Sequence, residues 1–130
     1  MLLDVLGADP TFGRQSLEAL RSAYDAGALL ACDVVWAEAR AHFALAKPFA
    51  EAMDLLGVQF DPISAEAASA AGRLWRGSRK DSRESGRRVV ADFLIGAHAS
   101  QQADVLLTRD RGFYRRYFTS LKVVDPSAER

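Results

Sequence analysis

At 130 residues the chain is long enough for one domain with a real core and too short for two, so a single domain over 1–130 is expected. With 49% hydrophobic and 26% charged residues and no Pro/Gly-rich or low-complexity tract, it is neither a disordered nor a fibrous protein, and no apolar run approaches the roughly 18 residues of a membrane span. The formal net charge of zero conceals two halves of opposite sign: residues 1–70 hold four Lys/Arg against ten Asp/Glu, and residues 71–130 hold thirteen against seven.

The opening MLLDVLGADP has neither the basic region nor the cleavage site of a signal peptide. Leu17, Leu20 and Tyr24 recur at i, i+3 and i+7 and predict a helix over 13–26, closed by Gly27. ALLAC (28–32) reads as the next strand. Its Cys32 is the single cysteine and has no disulfide partner within the chain; a core thiol in a reducing compartment, the cytoplasm, is expected. Asp33 is the expected N-cap of a helix through VVWAEARAHFALA, with Val35, Ala39 and Phe43 on one face. Pro48 opens the following helix in its first turn, Phe49, Met53 and Leu56 line its face, and Gly57 ends it before the strand VQF (58–60). Ser64 caps an alanine-rich helix that runs to about Arg76. A polar loop is expected over 77–86, then a helix from about 87 to 102, a strand VLLT (105–108), a short helix and a last strand LKVV (121–124). Helices alternating with short strands signal an α/β fold around a mostly parallel sheet.

Three carboxylates depart from this pattern. Asp92 has Val89, Ile95 and Gly96 as its helical neighbours, with only Arg88, at i−4, charged; Glu38 has Val34, Val35 and Ala41 three or four positions away. Both are expected to face inward or into a cleft, where an unpaired carboxylate is costly. Crossover helices of a parallel sheet start at the carboxyl edge of the strands. Glu38 and Asp92 lie in the early turns of such helices and Asp110 two residues past Thr108, so all three are expected at one edge, where open α/β sheets hold their ligands. Two carboxylates about 4 Å apart repel by roughly 4 kcal/mol at an effective dielectric near 20, so three in one cleft need a cation or protons. Oxygen ligands favour Mg²⁺ or Mn²⁺ over zinc. The structural alternatives are a salt bridge from Asp92 to Arg88, and Asp110 as a cap of the helix that follows.

The basic residues concentrate in RLWRGSRKDSRESGRR (73–88), seven positive against two negative, and in RDRGFYRR (109–116), four against one. Such patches suit a polyanion, or are simply solvated faces. A divalent ion on carboxylates beside arginines is the equipment of phosphodiester hydrolysis, the metal polarising the phosphate and the arginines holding its neighbours. A phosphate-receiving α/β domain also gathers acids at a strand edge, but it wants an acidic pair on an early strand, and none is present. His42 and His98 stand alone on their helices and read as structural or exposed; Trp36, Trp75 and the FYRRYF aromatics read as packing, with base stacking by Phe113 and Tyr114 left open.

VVWAEARAHF with Glu38, VVADFLIGAHA with Asp92 and LLTRDRGFYRRYF with Thr108 and Asp110 make the chain resemble the PIN-domain ribonucleases. Within them it is similar to the VapC-type toxins of bacterial toxin–antitoxin pairs. The three blocks follow the family's order and approximate spacing and together span nearly the whole chain. The resemblance implies a PIN-like three-layer α/β/α fold with a mostly parallel sheet. It implies Mg²⁺- or Mn²⁺-dependent cleavage of RNA, with Glu38, Asp92 and Asp110 as catalytic metal ligands and Thr108 assisting them. It also implies a homodimer neutralised by a small antitoxin protein whose tail lies in the active-site groove. Arg88, Arg109 and Arg111 are expected to touch RNA or antitoxin, and the alanines of SAEAASAAG to allow close packing at a dimer or antitoxin interface. Family members open with a strand ending in Asp-Thr-Asn or Asp-Thr-Ser before an apolar turn. Met1 falls on that apolar position, so the first strand and its aspartate are expected to be missing from the sequence as written, with the true start upstream; Asp4 matches a later capping or surface residue. The second reading is a catalytically impaired PIN-like chain that only binds antitoxin or RNA.

Overall fold

The structure is a computed structural model that describes residues 10–78 and 89–126. Helix α1 (Gly13–Ala26) leads into strand β1 (Leu29–Ala31), which is followed by α2 (Asp33–Ala41), α3 (Ala46–Leu56) and β2 (Val58–Phe60). Then come α4 (Ala65–Ser78), α5 (Val90–Gln102), β3 (Val105–Leu107), α6 (Arg111–Tyr117) and β4 (Lys122–Val124). β1 pairs in parallel with β2, Leu29 opposite Val58; β3 pairs in parallel with β4, Val105 opposite Lys122. The α/β fold with parallel strands is the one predicted, and among the described residues the strands form two two-stranded sheets.

Local chemistry explains the boundaries. Pro48 lies in the first turn of α3, where no intrahelical N–H bond is lost. At the other end Gly57 adopts a left-handed φ of 71°, its N–H turned back on the carbonyls of Asp54 and Met53. Ser64 Oγ accepts the N–H of Ala67 at 3.1 Å, the cap expected of it. Asp33 is different: it is the first residue of α2, not its N-cap, and its Oδ1 accepts the Ile63 N–H at 2.9 Å, tying α2 to the loop after β2. A carboxylate anywhere in the first turn is favoured by the helix dipole, so the sequence signal does not separate these adjacent positions. The helix predicted to run on through 46 stops at Ala41, where Arg40 donates to the Phe43 carbonyl at 2.8 Å, and α4 continues to Ser78.

Two apolar clusters result. The first joins Leu20 of α1, Leu29 and Ala31 of β1, Ala39 of α2, Phe49 and Met53 of α3 and Val58 of β2, with the Trp36 ring edge-on to Phe49. Cys32 is buried beside it, as expected, and burial pushes its thiol pKa up, away from reactivity. Tyr24, predicted on the buried face of α1, is 56% exposed; its ring covers Gly57 at the rim. The second cluster joins Ala67 and Ala71 of α4, Phe93 and Ala97 of α5, and Phe113, Tyr114 and Phe118. Ala67 and Ala71 therefore serve the packing of α4 on α5 within the chain and are not open to an interface.

Gly96 of α5 belongs to this packing, because a Cβ there meets the Phe118 ring, whereas a Cβ at Gly72 of α4 meets nothing. Gly96→Ala is expected to lower stability by about 1–3 kcal/mol through overpacking. Gly72→Ala should raise it by up to ~1 kcal/mol through helix propensity alone. Urea denaturation of the two variants checks the contrast; equal shifts in the same direction would show that the close approach at Gly96 is wrong.

Candidate active site

Strand β3 fixes the first part of the site. Thr108 N donates to the Val124 carbonyl at 3.0 Å, which extends the β3–β4 ladder by one residue. Thr108 Oγ1 then accepts the Asp110 N–H at 3.1 Å, so the threonine locks the turn on which Asp110 stands, at the N-cap position of α6. Asp110 makes no side-chain capping bond there, so its expected alternative role as a cap is not the one it plays.

Helices α2 and α5, which pack against each other, carry the other two carboxylates. Asp92 lies in the first turn of α5 and is half-buried, as its apolar neighbours predict. Glu38 is exposed, against the expectation of an inward-facing carboxylate. In so short a helix one narrow stripe is buried; Ala39, at 1% exposure, occupies it, and the ~100° step between neighbours turns Glu38 outward. The three carboxylates are hard oxygen donors that suit Mg²⁺ or Mn²⁺ chemically. Among the described residues, no group of three or more His, Cys, Asp or Glu side chains stands close enough to hold an ion. Glu38, Asp92 and Asp110 are thus not gathered into one ligand set.

The arginines cluster at Thr108 and Asp110. Arg109 and Arg111 are exposed; the Arg109 guanidinium lies 4.0 Å over the Phe12 ring, and Arg111 Nε is 3.9 Å from Asp125 Oδ2. Arg88 lies outside the described residues, with it the expected Asp92–Arg88 bridge, Asp4 and most of the basic run 73–88.

Two features escaped the sequence reading. Asp125 follows β4, and its side chain is only 8% exposed against Arg111; a lone aspartate near the end of the chain gives no signal of this. The second is a polar network behind the site. His98, buried in α5, has Nε2 2.7 Å from Asp61 Oδ2, which also accepts Gln102 Nε2 at 3.1 Å. Gln102 in turn donates to the Pro62 carbonyl and accepts the Ser64 N–H, each at 2.9 Å. The network fastens the second half of α5 to the loop after β2 and so positions the helix that bears Asp92. His98 is structural, as read, but its partner is 37 residues away and invisible to local pattern. His42 and Trp36 also match their bland readings, the first exposed and the second packed on Phe49 and Phe60.

A cavity of about 1300 Å³ is lined by residues of both sheets. Residues of β1, β3, α1 and α5 line it, together with Glu38, Thr108, Arg109 and Asp125. Among the described residues no helix is long and apolar enough to cross a membrane.

No curated protein and no solved structure matches the chain. The family model of the PIN domain does match, over residues 1–119, which is nearly the whole sequence and includes all the residues of the three carboxylate blocks. Parallel strands, helical crossovers and a Thr108–Asp110 turn at a strand end agree with that match, and the chain belongs to the PIN domain family.

Proposed function

We propose that the chain is a metal-dependent endoribonuclease, the toxin of a type II toxin–antitoxin pair, working as a single-domain homodimer in the cytoplasm. PIN domains are generally metal-dependent nucleases, which supports hydrolysis of a phosphodiester bond. The observation that carries the reading is the Thr108–Asp110 turn, locked at the end of β3 with Arg109 and Arg111 exposed on either side of the aspartate.

Asp92, Glu38 and Asp110 supply the negative charge of the site, and Mg²⁺ or Mn²⁺, when bound, supplies Lewis-acid activation of phosphate and water. Arg109 and Arg111 bind the RNA backbone as phosphate contacts, which fix register without reading sequence. Asp125 holds Arg111 toward the site, and Thr108 holds the Asp110 turn in place. A small antitoxin covers the same arginines, competing with RNA for them.

The test is cleavage of single-stranded RNA by the purified chain with Mn²⁺ or Mg²⁺. Cleavage that EDTA abolishes and excess Mn²⁺ restores is the expected result. RNA binding without cleavage at any metal concentration would replace this reading with that of a binding module.

A further inference from the structure

On sequence alone the residues open to base stacking are Phe113 and Tyr114, but each is only 4% exposed and is spent in the second apolar cluster. A different pair offers a face. The Arg109 guanidinium lies 4.0 Å over the centroid of the Phe12 ring, while Arg109 as a residue is exposed and Phe12 half-buried. The ring covers one face of the planar cation, so solvent reaches it on the other face and along its edges. Both members are fixed at the backbone. Arg109 stands between Thr108, whose N–H bonds Val124 of β4, and Asp110, whose N–H bonds Thr108 Oγ1. Phe12 directly precedes α1, and its carbonyl accepts the Ser16 N–H at 2.9 Å.

Phe12 occupies a position where helices favour Ser, Thr, Asp or Asn, and it makes no side-chain capping bond. Its ring instead carries a guanidinium next to Asp110. Arg116 also lies over a ring, Tyr117, but at 5.3 Å and six residues beyond Asp110. Arg111, on the other side of Asp110, is held in another way, by the Asp125 carboxylate 3.9 Å from its Nε. The two arginines beside the aspartate therefore differ in kind. A phosphate needs only charge and N–H donors, whereas a guanidinium laid flat on a ring also presents a plane, and unpaired nucleobases stack on such planes.

We propose that Arg109, seated on Phe12, is a stacking site for one unpaired base of the RNA close to the phosphate at Asp110. The base lies on the guanidinium face opposite Phe12, and the guanidinium edge keeps its phosphate contact, so Arg109 holds backbone and base together. Phe12 is a positioning residue that acts through Arg109. Bases inside a duplex have no face to offer, which confines the site to single-stranded RNA. Every base has a face, so the site selects strandedness and not sequence. The inference rests on the proposed function in taking RNA as the ligand, and it does not require that the RNA be cut.

The test is binding of a short single-stranded RNA oligonucleotide to the full chain, followed by fluorescence anisotropy in EDTA, beside cleavage of the same oligonucleotide in Mn²⁺. One base at a time is removed along the strand, leaving its ribose and phosphate. Removal at one position, or at two adjacent ones, is expected to weaken binding at least about fivefold, the lower end of what a stacked base contributes. Arg109→Lys keeps the charge and loses the plane. It should bind the intact strand as weakly as the full chain binds that abasic one, ignore the same removal, and keep the salt dependence of Kd. Phe12→Leu should lose most of the positional effect; if it does not fold, Arg109→Lys decides alone. The inference is overturned if no position matters to the full chain, if the positional effect survives in Arg109→Lys, or if the intact oligonucleotide is not bound. Positional binding without cleavage in Mn²⁺ supports the stacking site and removes the nuclease reading; cleavage without a positional effect does the reverse.

Discussion

Asp92→Asn is expected to lower kcat/KM for RNA by at least about 100-fold and to cost the folded state far less in proportion. The substitution keeps shape and removes charge. Replacing groups that merely support a metal ligand already costs about 10–100-fold in affinity or activity, so loss of a direct carboxylate should reach or exceed the upper value. The stability term is small by comparison. Asp92 is half-buried in the first turn of α5, where a negative charge gains roughly 0.3–1 kcal/mol from the helix dipole, and Asn keeps the hydrogen-bonding shape while giving up that charge term. A steady-state assay paired with a thermal melt separates the two roles. Activity retained with a melt lowered by several degrees would make Asp92 a structural anchor and remove it from the site. Glu38 offers a cleaner companion: it is exposed, so Glu38→Gln has almost no stability to lose, and a fall in activity there reads directly on chemistry.

The order and kind of the elements could be read from the chain because the signals for them are local. As caps, Gly57 and Ser64 act through bonds to residues no more than four positions away, and the faces Val35–Ala39–Phe43 and Phe49–Met53–Leu56 are settled by period alone. The site was legible only in part. Thr108 and Asp110 were found because strand end and turn are adjacent in sequence. Asp61, His98 and Gln102 were not joined beforehand, since the bonds between them cross 37 and 41 residues. The burial of Glu38 was misjudged for another reason: apolar neighbours at three and four positions mark a face only when the helix buries a broad one, and α2 buries Ala39 alone. Pairing of strands carries no local signal at all. Four three-residue strands are equally compatible with one sheet or with two separate pairs, and that distinction bears most directly on whether the carboxylates meet.

The residue next to Asp92 should behave in the opposite way. Phe93 is fully buried, with its ring edge-on to Phe113 at 5.1 Å and to Tyr117 at 5.3 Å, in the cluster to which α4 contributes the buried Ala67 and Ala71 and the partly buried Ala70, Leu74 and Trp75. In a close-packed cluster the neighbours relax only partly into the space a removed ring leaves. Phe93→Ala should therefore incur the transfer and cavity terms together, about 3–5 kcal/mol. Against a total of ~5–15 kcal/mol for a domain, that leaves a marginal protein, with a melting midpoint lowered on the order of 10 °C. Phe93→Leu, which keeps most of the volume, should lose well under half as much. A midpoint unchanged in Phe93→Ala would mean that α5 is not docked on α6 as described, and the placement of Asp92 would fall with it. The ~100° between successive side chains on one helix thus turns Phe93 fully into the core and leaves Asp92 half-buried at its margin, so a single turn of α5 allows stability and chemistry to be measured apart.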